Sequence, residues 1–276
     1  AVLAVRGYRT FEASYSELAR AAAGFAFWLK QQGYGPQDRI ALWAPNGVEW
    51  LAVFWGAVAR RVPLVLIDES WSGETAFRLA KAGGAGILVC ESTPPGWKDA
   101  TLRLEDVLRL PSDAALDQLI VAAEPGDVVE IVFTSGTTGE PSGGFHSNRN
   151  MCAVLTPIEQ EMRRFEKWAR PFQPVRTLNL LPLSHMFGQA MGLFVPVILG
   201  GSVVFSASQH PGAVLQVIRQ ERVSVLTAVP HMLRNLRQEI ERRFAGTDRE
   251  AGGKGLLGAA RRWWIHRKVH SELGWK

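Results

Sequence analysis

The residues from Ile131 to Asn150, IVFTSGTTGEPSGGFHSNRN, combine hydroxyl side chains and glycines at a spacing suited to binding phosphate. Glycine permits positive φ, so successive backbone N–H groups can converge on one anion, while hydroxyls add donors and can serve as ligands of Mg²⁺. The hydroxyl residues are Thr134, Ser135, Thr137 and Thr138, and the glycines are Gly136 and Gly139. Because a predicted buried strand leads into them, the pattern predicts a polyphosphate-binding loop, with a flexible serine–glycine turn as the alternative.

This segment differs from two common nucleotide-binding motifs. A Walker loop requires Lys followed by Ser or Thr after its second spaced glycine, and neither follows Gly139 in that way. The dinucleotide fingerprint G-x-G-x-x-G is also absent from the turn. A different mode of phosphate binding is therefore expected.

A second candidate for chemistry is His185, in the segment LNLLPLSHMFG (178–188). The segment follows an apolar run, so the histidine is expected just beyond a buried strand. A lone histidine in that position can be a structural residue or part of a binding site.

The composition is that of an ordinary globular protein. The 276 residues are 47% hydrophobic and 21% charged, with a formal net charge of +5, which argues against disorder. Two cysteines, Cys90 and Cys152, are too few for a disulfide framework, and their apolar surroundings predict buried thiols in a reducing compartment. No basic and apolar leader is evident, so a cytoplasmic location is expected.

Alternating strands and helices are predicted to position these candidate residues. Short apolar runs that do not alternate with polar residues are typical of parallel strands buried on both faces. The predicted strands are Ile40–Trp43, Pro63–Ile67, Ile87–Cys90, Val128–Phe133, Leu178–Leu181, Val203–Phe205 and Val223–Leu226. Helices are predicted between most of them, the first introduced by a capping box of Ser14 and Glu17. The expected fold is layered α/β, with mostly parallel β-sheets and helices on both faces.

Three segments are interpreted differently. Residues 92–126 are expected to form a surface connection with one short amphipathic piece, and 134–147 a loop. The apolar stretch Met186–Phe205 is long enough to cross a membrane. Its glycines and proline favour a buried helix, a turn and a strand instead.

The loop closely resembles the signature loop of the adenylate-forming enzymes, which include acyl-CoA synthetases, luciferases and the adenylation domains of peptide synthetases. Their loop reads T-S-G-T-T-G-x-P-K-G-V, and residues 134–141 match it throughout. LNLLPLSHMFG resembles the next core motif of the family, and SVLTAVPHMLRNL (224–236) the strand, turn and helix that follow. Residues 237–276 most resemble the extra helical segment of long-chain fatty acyl-CoA synthetases.

The resemblance implies ATP-dependent activation of a carboxylic acid, expected to be a fatty acid, to acyl-AMP and then acyl-CoA. It implies ATP, Mg²⁺ and CoA as cofactors or co-substrates, with Thr138 a possible ligand of Mg²⁺. The phosphate site comprises Thr134, Ser135, Gly136, Thr137, Thr138 and Gly139. The acyl-substrate pocket comprises His185, Met186, Phe187 and Gly188.

The sequence departs from the family in two ways. Ser142 stands where the family has its loop lysine, and Gly144 stands at the following apolar position, so a cation that could meet the β- and γ-phosphates is missing. The Y-G-x-T-E and T-G-D motifs and the C-terminal catalytic lysine are not found. The expectation is therefore an N-terminal portion, inactive alone, with subdomains at 1–126 and 127–245 and a linker and basic helix at 246–276.

Two alternatives follow from other features. Ser142 also fits a non-catalytic nucleotide- or acyl-binding module. Residues 219–276 hold 13 basic and 6 acidic side chains, a net of +7, and include Trp263, Trp264 and Trp275. That composition also fits peripheral contact with an anionic membrane through 261–276. No nucleic-acid partner is expected, and the sequence leaves the oligomeric state open.

Overall fold

The computed structural model describes residues 1–6, 9–134, 142–169 and 173–243. Within them, six strands form one sheet in the order β6-β5-β3-β4-β7-β8. All neighbours in this sheet are parallel except the hairpin of β7 and β8. The strands are β3 (Ile40–Trp43), β4 (Leu64–Ile67), β5 (Ile87–Cys90), β6 (Ala100–Arg103), β7 (Val128–Thr134) and β8 (Ser142–Ser147).

A second sheet has five strands in the order β11-β9-β10-β1-β2. They are β1 (Val2–Arg6), β2 (Arg9–Ala13), β9 (Arg176–Asn179), β10 (Ser202–Ser206) and β11 (Val225–Thr227). Strand β1 pairs in parallel with β10 and antiparallel with β2. The start of the chain thus completes a sheet formed mainly by its later part.

The two sheets do not follow the predicted division between residues 126 and 127. Strands β7 and β8 belong with β3–β6, whereas β1 and β2 belong with β9–β11. The hydrophobic pattern of a strand indicates that it is buried, but pairing partners are set by long-range contacts that the pattern does not encode.

Helices cover the sheets. They are α1 (Tyr15–Gln31), α2 (Val48–Ala59), α3 (Gly73–Ala82), α4 (Leu116–Leu119), α5 (Asn148–Ala169), α6 (Met186–Gln189), α7 (Val195–Ile198), α8 (Pro211–Gln220) and α9 (Pro230–Arg243). A π-helical turn, Ala190–Phe194, joins α6 to α7, and a 3-10 helix spans Leu104–Arg109. The capping box of Ser14 and Glu17 is present at the start of α1.

The six-stranded sheet is packed on both faces. Helices α1 and α2 bury Phe25, Trp50 and Phe54 in one core, which continues to Phe194 and Phe205 beside the second sheet. Helix α3 buries Leu79 against the opposite face. The predicted fold of mostly parallel sheets with helices on both faces is confirmed.

Several local expectations were wrong, beginning with the surface connection at 92–126, where Ala100–Arg103 form β6 and pair with β5 at a sheet edge. Residues 142–147 form strand β8 rather than part of a loop, because they pair with β7 at a sheet edge. Cys90 is buried as expected, but Cys152 is exposed on α5. The stretch 186–205 agrees with its prediction, because it divides into helices, a turn and a strand. None of the helices in the described residues has the length and hydropathy needed to span a membrane.

Candidate functional site

The β7–β8 hairpin holds both ends of the predicted phosphate loop. Thr134 ends β7 and is paired with Ser142 at the start of β8, so a seven-residue segment closes the hairpin. Ser142, at the position of the family's loop lysine, is exposed. The loop therefore begins at the carboxyl end of a strand that lies beside β4. Ser135, Gly136, Thr137, Thr138 and Gly139 fall outside the described residues, and their roles stay predictions.

The second predicted site residue, His185, lies beside a buried carboxylate. Asp68 directly follows β4 and is only 8% exposed, and its Oδ2 lies 3.5 Å from Nε2 of His185. The same oxygen accepts a hydrogen bond of 3.2 Å from Oγ of Ser184. Oδ1 accepts one of 2.8 Å from the backbone N–H of Ser70. The buried carboxylate of Asp68 thus orients the imidazole, and 48% of the His185 side chain remains exposed to solvent.

This contact changes the acidity of both groups. Burial by itself raises the pKa of Asp68, but the contacts from His185 and Ser70 outweigh it and lower the pKa to about 2. The hydrogen bond to Asp68 raises the pKa of His185 above its usual 6.5, against the opposing effect of burial. The pair therefore favours an imidazolium that faces solvent, a cation able to meet an anionic substrate.

Two asparagines fix the segment that carries His185. Nδ2 of Asn46, in the turn after β3, donates to the carbonyl of Leu181 at 2.8 Å, and its Oδ1 accepts from the N–H of Leu183 at 3.0 Å. From β9, Nδ2 of buried Asn179 donates to the carbonyls of Leu181 and Gly188, both at 3.2 Å. Because Asn46 follows a strand of one sheet and Asn179 ends a strand of the other, they hold the segment in place between the two sheets.

The other predicted pocket residues differ in exposure. Phe187 is 60% exposed, Met186 is half-buried, and Gly188 is buried within α6. A β-carbon at Gly188 would overlap the carbonyl oxygen of Pro182, so the close approach of helix and loop requires glycine. Gly188 therefore shapes the site through its backbone, while His185 and Phe187 face outwards.

A second buried carboxylate lies on β7. Glu130 is fully buried, and its Oε1 lies 2.8 Å from Nδ1 of His146, its cross-strand partner on β8. Its Oε2 accepts a hydrogen bond of 2.7 Å from Nε2 of Gln189 on α6. The contact with Glu130 raises the pKa of His146, and burial opposes this effect.

Three further features bear on the site. Within the described ranges, no cluster of three or more His, Cys, Asp or Glu side chains is arranged to hold a metal ion.

A cavity of about 300 Å³ lies between α5 and Ile198–Gly200, which precede β10. His185 does not line it and lies instead beyond the carboxyl end of β9. Arg149, at the start of α5, lies past the end of β8 that is remote from the loop, about 17 Å of strand from Ser142, so it does not replace the loop lysine there.

Sequence reasoning missed Asp68, Asn46, Asn179, Glu130 and Gln189. Asp68 and Asn46 each follow an apolar strand of a parallel sheet, where ligand-binding residues collect, so a signal was present for both. Glu130 interrupts an apolar strand, which is also visible in the sequence. Its partners were not, because they depend on which strand and helix pack beside it.

The fold and the site define an α/β protein in which the β7–β8 hairpin holds both ends of the predicted phosphate loop, and a histidine–aspartate pair lies beyond the carboxyl ends of two strands. The family model for AMP-binding enzymes matches residues 2–265, and the chain belongs to that family.

Curated relatives are similar over most of this chain. A feruloyl-CoA synthase of Amycolatopsis is 29% identical over 228 residues, covering 79% of this chain and 44% of the relative. The long-chain fatty acid–CoA ligase FadD13 of Mycobacterium tuberculosis is 26% identical over 250 residues, covering 85% and 47%. This chain thus spans about half the length of the curated relatives it matches.

Solved structures agree on the architecture. A nonribosomal peptide synthetase superimposes with a TM-score of 0.70 and 26% identity, covering 87% of this chain and 25% of that one. Fatty acyl-adenylate ligase from L. pneumophila, solved with acyl adenylate and pyrophosphate, gives 0.67 and 18%, covering 83% and 41%. At that identity the second comparison supports the fold alone.

Proposed function

We propose that the complete gene product activates a carboxylic acid with ATP and transfers the acyl group to CoA. The observation that carries the proposal is the contact between Asp68 and His185. It supplies a partly exposed imidazolium at the carboxyl ends of the strands, where the phosphate-loop hairpin also ends. An acid and a nucleotide bound at these two places would meet.

His185 binds and orients the acid in this proposal. Its imidazolium pairs with the substrate carboxylate, and Asp68 keeps the imidazole protonated and orients it towards the acid. One carboxylate oxygen then forms a bond to the α-phosphorus of ATP, and the bond from that phosphorus to the bridging oxygen breaks, releasing pyrophosphate. The CoA sulfur next bonds to the acyl carbon and AMP leaves, while the thiol proton passes to solvent.

The loop hydroxyls and N–H groups stabilise the departing pyrophosphate. Thr134, Ser135, Gly136, Thr137, Thr138 and Gly139 are assigned that role by their match to the family loop. Mg²⁺ enters as the counter-ion of ATP, with Thr138 its predicted ligand. Ser142 contributes no positive charge, so this enzyme is expected to bind the β- and γ-phosphates more weakly than one with a lysine.

We propose a fatty acid as the substrate, since Phe187 and Val197 expose apolar surface along the segment that begins at His185. A pyrophosphate-exchange assay tests both the proposed activity and the proposed fatty-acid substrate. Exchange into ATP that depends on an added acid is expected, and palmitate should support it better than ferulate. The reverse order would replace the fatty-acid assignment, and no acid-dependent exchange with either compound would overturn the activity.

The 276 residues alone are proposed not to complete the reaction, because the Y-G-x-T-E and T-G-D motifs are not among them. Incubation of this chain with ATP, Mg²⁺, palmitate and CoA should give no thioester above background. Steady thioester formation would contradict this.

A further inference from the structure

Glu130 is a buried carboxyl group in a strand whose other residues, apart from Thr134 at its end, are apolar. It lies on β7, four residues before Thr134, between Val129 and Ile131, which are both buried. Removing a carboxylate from water is costly unless donors surround it. Its position is therefore explained only by the groups that it binds.

The two groups bound to Glu130 come from different parts of the site. His146 lies on β8, the strand that returns from the phosphate loop. Gln189 lies on α6, and its backbone N–H donates to the carbonyl of His185 at 3.0 Å, which places it one helical turn beyond that residue. Glu130 thus contacts the hairpin that carries the loop and the helix that begins after His185.

The side chain of Gln189 forms a hydrogen bond only as a donor, through Nε2 to Glu130. This side chain is fully buried, and Oε1 has no hydrogen-bond partner among the described residues. An unpaired buried acceptor is unfavourable, and an apolar side chain of the same length would avoid it. Packing of α6 therefore does not account for a glutamine here, whereas the 2.7 Å hydrogen bond to Glu130 does.

We propose that Glu130 is a positioning residue that fixes the β7–β8 hairpin, which holds both ends of the predicted phosphate loop, relative to His185, by binding His146 on β8 and Gln189 on α6. This inference rests on the proposed function, in which the acid at His185 must reach the α-phosphorus of ATP. Reacting atoms must approach within about 3–3.5 Å, and a misplacement of about 1 Å can cost on the order of 100-fold in rate. A link between the two binding elements is then expected to act on the reaction more than on the binding of either substrate.

Pyrophosphate exchange by the complete gene product tests the inference with Gln189→Met and Glu130→Gln. Each change removes the charge-assisted hydrogen bond between β7 and α6 at nearly constant volume. Each should lower kcat about tenfold, on the order expected for a charged hydrogen bond, and leave the KM values for ATP and the acid within about threefold. The kcat of the double variant should match that of the less active single variant within about threefold, because both changes break the same hydrogen bond.

Asp127→Asn is the matched control. Asp127 precedes β7, and its carboxylate pairs with Arg61 at 2.7 Å, away from His185. The variant makes the same chemical change near the same strand, so it can lower thermal stability but should keep kcat within about twofold. Melting curves confirm that every variant is folded at the assay temperature.

The possible outcomes are distinct. An unchanged kcat in Gln189→Met, a rise in KM alone, or a hundredfold loss in the double variant would overturn the positioning role. An equal loss of kcat in Asp127→Asn would also overturn it, because general loosening of β7 would then suffice. A wild-type protein without acid-dependent exchange would overturn the proposed function and this inference with it.

Discussion

Oδ2 of Asp68 lies 3.5 Å from Nε2 of His185, although Asp68 follows a strand of the six-stranded sheet and His185 follows one of the five-stranded sheet. The carboxylate is buried, while the imidazole is half exposed. The buried partner can therefore set the charge and direction of the exposed one.

The pH dependence of exchange should reveal this pair. His185 has a raised pKa, so its imidazolium persists to a higher pH than in a free histidine, and activity should fall as pH rises through the pKa of the folded state. In Asp68→Asn the falling limb should move to lower pH, and kcat/KM for the acid at pH 7.5 should drop about tenfold. Profiles measured from pH 5.5 to 9 check this.

The control for that profile is Asp99→Asn, which breaks an exposed ion pair with Lys81. Its profile should overlie the wild-type curve, because exposed pairs contribute little. If the falling limb of Asp68→Asn stays at the wild-type pH, His185 is not the group whose deprotonation lowers the activity.

Asp68 should also contribute to acid stability. Its pKa is lowered to about 2, so its stabilisation is present above the unfolded value near 3.9 and is lost as pH falls through 2. Between pH 4 and 6.5, Asp68→Asn should lower the free energy of unfolding by about 2 kcal/mol. Urea titrations should show this gap closing towards pH 2, and a gap independent of pH would indicate lost packing instead.

Ser142→Lys should strengthen nucleotide handling. Ser142 is exposed beside the loop, so a lysine fits without repacking, and a charge-assisted contact to phosphate contributes roughly 1.5–3 kcal/mol. The KM for ATP should fall, or the exchange rate should rise, by at least about tenfold. Ser142→Met, which adds length without charge, should give neither effect.

Gly188→Ala should destabilise the protein. The added β-carbon would overlap the carbonyl oxygen of Pro182, a backbone atom that cannot move alone, and such overpacking costs about 1–3 kcal/mol. Thermal and urea unfolding measure the loss. Gly86→Ala is the matched control, because its β-carbon meets no atom within 4 Å, and equal stability of the two variants would contradict the close packing of α6.

Local patterns in the sequence were sufficient for much of the fold. The apolar runs at 40–43, 64–67 and 87–90 were predicted as strands to within one residue, because a parallel sheet buried on both faces needs continuous apolar side chains. Strand β8 was missed, since Gly143 and Gly144 read as loop residues. An edge strand pairs on one side only, so its sequence carries a weaker signal.

Some features of the candidate site could likewise be identified from the sequence, and others could not. The hydroxyls and glycines of 134–139 and His185 could be selected from the sequence, because their residue types and order resemble one family's motifs. Cys152 was misplaced because neighbouring apolar residues do not reveal which face of α5 meets solvent. Side-chain type suggests chemistry, but exposure depends on what packs against the helix.

The sequence by itself determined the layered α/β fold and the family, because both depend on residues close together in the chain. Only the tertiary structure decided that Asp68 orients His185, that Asn46 and Asn179 hold its segment, and that Glu130 joins β7 to α6. These contacts connect residues far apart in the chain, and their partners are set by the order of strands in the two sheets. A buried carboxylate is stable only where that packing brings donors to it.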